Sequence, residues 1–159
     1  MLRLRNTTVL VMILVLCSVG VLTWGQVAYA QDKLVIISPH WEGIETEFDR
    51  TFRVWHTKQT GRTVTIDWLD QGGSSSNFRF IESEFKRVPD GIDIDLFFGG
   101  GTDNYLKLAE KGLLLPYKLP EAQLKRIPKE IFGIPVYDPQ YRWYGAALSS
   151  FGIMYNEEL

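Results

Sequence analysis

After residue 32 the apolar residues alternate between two spacings, and that alternation limits the fold more than any other feature of the chain. Lys33 to Ser38 (KLVIIS) is a compact run rich in β-branched side chains and predicts a buried strand. Pro39 stops it. Ile44, Phe48, Phe52 and Trp55 then recur at helical spacing, one apolar stripe on a helix from about Glu42 to Lys58, with Gly61 as its stop. Thr63 to Leu69 (TVTIDWL) predicts a second strand, with Val64, Ile66 and Trp68 alternating against polar neighbours. Phe78, Ile81 and Phe85 mark a second amphipathic helix, ended by Pro89-Asp90-Gly91. Ile92 to Phe98 (IDIDLFF) predicts a third strand. Gly99-Gly100-Gly101 leads into a third helix near Thr102 to Lys111, closed by Gly112. Strand and helix in strict alternation predict an α/β fold: an open, mainly parallel sheet flanked by helices. Beyond Gly112, Leu113 to Leu115 is a candidate short strand. Five prolines break up the next stretch, and Arg142 to Tyr155 predicts one or two further strands with a bend at Ser149-Ser150.

The first thirty residues have a different character. Arg3 and Arg5 give a positive start, Val9 to Leu22 is a nearly unbroken apolar run, and Ala28-Tyr29-Ala30 supplies small residues at the two positions a signal peptidase reads. That order predicts a secretory signal peptide over 1–30, cleaved after Ala30, and a periplasmic location for the remainder. The apolar run is shorter than the roughly 20 residues needed to span hydrocarbon. Cys17 lies inside it without the small residues a lipidation site requires.

Residues 31–159 are then one domain of ordinary size. The 17 basic side chains include the two leader arginines, and none of the 19 acidic ones falls in the leader, so the mature part is net acidic. A net acidic balance gives no support for nucleic acid as a partner, and none is expected. The single cysteine leaves with the leader, so stability rests on the apolar core rather than on disulfides.

Ligands of open parallel sheets collect beyond the carboxyl ends of the strands. Three loops fall on that rim: Ser38-Pro39-His40, Gly72-Gly73-Ser74-Ser75-Ser76 and Gly99-Gly100-Gly101-Thr102. Each runs into a helix start, where unpaired backbone N–H groups and a partial positive charge favour anions. The same serines and threonine are also ordinary helix caps, and glycine is an ordinary turn residue. Ser38, His40, Gly73, Ser74, Ser75, Gly100, Gly101, Thr102 and Ser149 are the candidate ligand-binding residues. His40 has three readings: metal ligand, anion donor, or packed histidine. His56 reads as surface. Trp143 and Tyr144 read as pocket wall or core. No nucleophilic cysteine, Gly-x-Ser-x-Gly elbow, His-Glu-x-x-His pattern or phosphate loop is present, so no motif supports an enzyme. A hydrolase built on His40 requires a serine or acid within hydrogen-bond reach of the imidazole.

The order of these pieces resembles the amino-terminal lobe of bacterial extracellular solute-binding proteins of ABC importers. The branch it is most similar to includes ferric-ion, polyamine, thiamine, phosphonate and sugar-phosphate binders. The carriers are the opening strand with Ser38-Pro39-His40, the aromatic-rich first helix and Thr63-Val64-Thr65 before a Gly/Ser loop. Asp93-Ile94-Asp95-Leu96-Phe97-Phe98, Ala109-Glu110-Lys111-Gly112-Leu113-Leu114 and Tyr144-Gly145 through Ile153-Met154-Tyr155-Asn156 complete the set. The resemblance implies a monomeric two-lobed clamp without a cofactor, closing on a small-molecule solute and docking on an inner-membrane permease. It implies a second lobe that this sequence does not contain, so the expectation is a fragment of a longer protein that binds weakly alone. It also places His40 where ferric binders carry a ligating histidine, while glycine at 99–101 replaces the accompanying acidic ligand. The loss of that carboxylate tilts the expected solute toward a small phosphorylated or carboxylated anion, with ferric ion on His40 as the alternative.

Overall fold

The computed structural model describes residues 31–147 and 156–157. The expected signal peptide, Ser149 and most of the predicted strand region over 142–155 lie outside the described residues. The elements are β1 (Asp32–Ile37), α1 (Glu42–Thr60), β2 (Val64–Leu69), α2 (Ser74–Arg87), β3 (Leu96–Phe97), α3 (Thr102–Glu110), α4 (Glu121–Leu124), β4 (Glu130–Ile131) and β5 (Ile134–Pro135). The fold is α/β, with a three-stranded parallel sheet in the order β2-β1-β3. Asp32 to Ile37 pair in register with Val64 to Leu69, and Ile36 and Ile37 pair with Leu96 and Phe97.

Alternation along the strands sends successive side chains to opposite faces. Phe97 stacks on Tyr105 of α3, whereas its neighbour Phe98 meets Phe48 of α1. The main core lies on the first of these faces, where Ile37, Ile81, Phe97 and Leu108 are buried together and Phe78, Phe85, Ile92, Ile94 and Leu113 pack around them. The α1 stripe is looser than its periodicity suggests. Phe48 and Trp55 remain more than half exposed, and no residue of α1 is buried.

Both predicted helix stops are present. Gly61 takes a left-handed conformation (φ 71°) and its N–H donates to the Thr57 carbonyl. Gly112 (φ 69°) donates to Ala109 while Leu113 donates to Leu108, the paired bonds of a Schellman turn.

Three predicted strands are corrected. The third covers only Leu96–Phe97, because Asp93 adopts φ 55° and breaks the extended run. The Asp95 carboxylate accepts the Val35 N–H at 2.7 Å, a side chain standing where a ladder carbonyl would. Leu113 to Leu115 is not a strand, since Leu113 closes α3. Residues 142–147 make only a bridge between Tyr144 and Tyr137. That segment is organised by Asp138, buried, which accepts from the Gln140 N–H and forms a two-pronged pair with the Arg142 guanidinium. Arg142 also donates to the Ala109 carbonyl at the end of α3, where a cation complements the helix dipole. His56 is not merely surface: its Nε2 lies 3.2 Å from the Asp32 carboxylate and its Nδ1 3.1 Å from the Arg62 carbonyl, so it pins the start of β1. No helix among the described residues is long and apolar enough to cross a membrane.

Candidate solute-binding rim

The chain passes from central β1 outward to β2 and then back across to β3 on the other side. Helices therefore leave the sheet in opposite directions between β1 and β3, which makes a topological switch point at their carboxyl ends. Ser38-Pro39-His40 and Gly99 to Gly101 both emerge there, and the start of α2 stands beside them.

These three loops touch one another. The Gly99 Cα faces the His40 imidazole so closely that a Cβ there would lie 2.1 Å from Cε1. A Cβ on Gly100 would lie 3.1 Å from the Ser74 Oγ. Asn104 of α3 donates to the Ser74 carbonyl at 3.2 Å. The tyrosine hydroxyl of Tyr105 donates to the Gly99 carbonyl at 2.7 Å, and burial pushes its pKa up to about 12. Gly99 and Gly100 thus leave room for His40 and Ser74. Gly101 alone of that run opens onto free space.

The helix starts also differ from a simple capping account. The cap positions are Trp41, Gly73 and Gly101, and none carries a side-chain cap. Ser74 and Thr102 sit one residue inside their helices, so the N–H groups of Ser74 to Ser76, Thr102 and Asp103 keep no intrahelical partner, while Asn77 donates to the Gly73 carbonyl and Asn104 to the Gly101 carbonyl at 3.4 Å. The Gly73 amide is not among the groups offered to a ligand. Asp70 folds back and accepts from the Gly72 and Gly73 N–H groups at 3.0 and 3.2 Å. Ser75 stands exposed on the first turn of α2.

Ser38 is fully buried. Its Oγ accepts the His40 N–H at 3.1 Å and lies 3.0 Å from the His40 Nδ1. The geometry a serine hydrolase would need is thus met, but a hydroxyl with no exposed surface and a backbone donor already on it cannot reach a substrate. The pair locks the loop and aims the imidazole across the β1/β3 crevice, against Phe98 at 4.9 Å between ring centres.

Charge divides the rim. Around Glu45 gather His40, Glu42 and Asp70. Burial, reinforced by the Asp70 and Glu42 charges and opposed by His40, holds the Glu45 carboxyl above its ordinary range. A small depression of about 230 Å³ on this side is lined by Glu42, Glu45, Asp49 and Trp68. Among the described residues no three His, Cys, Asp or Glu side chains group as a metal site.

On the other side, a cavity of about 370 Å³ opens between Thr102 at the start of α3 and the segment 126–147. Arg126, Ile127, Phe132, Val136 and Trp143 help to line it. Of the candidate ligand-binding residues among the described ones, only Thr102 does. Trp143 therefore serves both readings left open for it: it is buried and it is a pocket wall. Tyr144 instead bridges backbone, accepting from the Leu119 N–H and donating to the Tyr117 carbonyl. Arg126 and Phe132 had no local sequence signal, since only tertiary structure brings them to Thr102.

No protein-family model matches this chain, and no curated protein matches it.

Proposed function

We propose that this chain is the first lobe of a two-lobed extracytoplasmic solute receptor of an ABC importer, and that it captures a small anionic solute without turning it over. The observation that carries this reading is the pair of uncapped helix starts, α2 and α3, beside the β1/β3 switch point. Such starts favour anions, and a switch point is where open α/β sheets hold ligands. The leader-like residues 1–30 support export to the periplasm. A permease is the partner the resemblance implies, and solute contacts to a second lobe would drive hinge closure.

The solute lies toward Thr102 and Gly101 rather than toward Gly73, because Asp70 already fills the backbone cradle at the α2 side. Ferric ion on His40 is the second reading, favoured by the Glu45 carboxylate near it.

A thermal-shift screen of the full-length protein against ferric ion, phosphate esters, phosphonates, carboxylates, polyamines and thiamine tests both. A ligand at about 100 times its Kd adds about 2.7 kcal/mol to folding stability. Stabilisation by anions supports the proposal. Stabilisation by ferric ion alone replaces it with the second reading.

A further inference from the structure

The cavity beside Thr102 has features that a packed loop does not require. Its walls are mostly apolar, from Ile127, Ile131, Pro135 and Val136, yet Arg126 lines it too, and no carboxylate is paired with Arg126 among the described residues. Trp143 is 8% exposed and forms part of the wall, its indole N–H covered by protein and, like the side-chain N–H groups of Trp68 and Asn77, without a hydrogen-bond partner among the described residues.

A second, independent observation comes from the β4–β5 hairpin. Its two-residue turn, Phe132-Gly133, has positive φ at both positions, 52° and 78°. Such turns favour Asn-Gly, and a bulky aromatic in the left-handed region is sterically disfavoured. Phe132 gains no burial in return: it is 95% exposed while lining the cavity. A strained, unburied aromatic at a cavity mouth points to a contact that forms only when the cavity is occupied.

We infer that this cavity holds the apolar body of a small organic carboxylate, with its charged head toward Arg126 and the start of α3 and with Phe132 closing over it. The volume suits a ligand of that size, at the low end of small-molecule sites. The inference rests on the receptor reading only for the sign of the solute's charge. It adds that the solute is amphiphilic rather than a bare phosphate ester.

The test uses the full chain, labelled with 15N, and follows the Trp143 indole N–H resonance while phenylacetate, hexanoate, acetate or inorganic phosphate is added. Phenylacetate and hexanoate are expected to shift that resonance saturably, and acetate and phosphate are not. Arg126→Gln should weaken phenylacetate binding about tenfold or more. Ala146→Trp, which adds bulk at a lining position, should weaken it at least as much. Phe132→Asn gives the sharpest readout, a higher melting temperature together with weaker binding. Unchanged phenylacetate affinity in Arg126→Gln and Ala146→Trp overturns the inference. So does phosphate stabilising the protein while phenylacetate does nothing, a result that leaves the receptor reading intact. Tight phenylacetate binding in a protein whose gene deletion leaves uptake of carboxylates unchanged supports the cavity and sinks the receptor reading.

Discussion

Replacing Gly99 by alanine tests the geometry on which the rim depends. Gly99 has φ 92°, outside the range an alanine adopts comfortably, and an added Cβ would lie 2.1 Å from the His40 Cε1 and 2.5 Å from its Nδ1. Carbon atoms in contact rest about 3.5–4.0 Å apart, so the imidazole must move by well over an ångström. It is held in place by the Ser38 Oγ on Nδ1 and by the Phe98 ring. The backbone term is about 1–2 kcal/mol. Loss of the Ser38–His40 bond adds about 1 kcal/mol. Gly99→Ala should therefore destabilise the fold by about 2–3 kcal/mol, read as a lower urea midpoint at unchanged slope. In a His40→Ala background the steric part disappears, and the same substitution should cost only the backbone term, a coupling of about 1 kcal/mol. Gly101→Ala is the comparison: its φ is −87° and nothing lies within 4 Å of the added Cβ, so it should lose only the N-cap preference for glycine over alanine, about 1 kcal/mol. A Gly99→Ala loss no larger than that of Gly101→Ala, or one that does not depend on His40, would refute the convergence of the first and third loops.

Tyr105 makes an alkaline limb. Its folded-state pKa of about 12 lies above the ordinary 10.0, so stability is fully present below pH 10 and falls as the pH rises through 12. Tyr105→Phe should flatten that limb in urea titrations while costing about 1 kcal/mol at neutral pH. Asp138 acts at the other end. The Arg142 hydrogen bonds hold its carboxyl below the ordinary 3.8, so its contribution is present above that value and is lost as the pH falls through the lower folded-state one. Asp138→Ala should remove about 2–3 kcal/mol at pH 7 and progressively less as the pH falls below the ordinary carboxylate range, by the same titration. Mass spectrometry of exported protein should find a mature chain that begins at Gln31; a chain retaining residues 1–30 counts against the leader and against a periplasmic location.

The strand–helix order was legible because burial of one face imposes a period, and that period survives in a single sequence. Gly61 and Gly112 were legible as stops for a local reason, since each needs a left-handed φ that only its own residue type decides. The shortening of β3 was not legible. Ile92, Ile94 and Leu96 alternate as a strand should, but Asp93 turns the chain and Asp95 reaches across to Val35, a choice made between elements far apart in sequence. The glycines of the third loop are legible as positions needing space, but not what needs it. What fills that space is His40 and Ser74, and a sequence does not say which distant side chain will arrive. Ser74 and Thr102 were one residue from the cap positions, a shift within the ordinary uncertainty of helix boundaries, yet it changes their role from satisfying amides to leaving them open.

The charge asymmetry of the rim decides where an anion can sit. At surface separations of about 4 Å, an uncompensated like charge costs on the order of 1–4 kcal/mol, depending on how much water intervenes. One helix start contributes about 0.3–1 kcal/mol of attraction. A solute near Glu45 and Asp70 would therefore meet repulsion that a single helix start cannot offset. Moving the same solute to the α3 side exchanges those carboxylates for a single one, Asp103 on the first turn of α3, and adds the Arg126 guanidinium to the open amides beyond Gly101. The preference for an anion and the location beside Thr102 thus stand or fall together. A cation, by the same arithmetic, belongs on the His40 side, so the side of the rim that responds to a ligand also reports its charge.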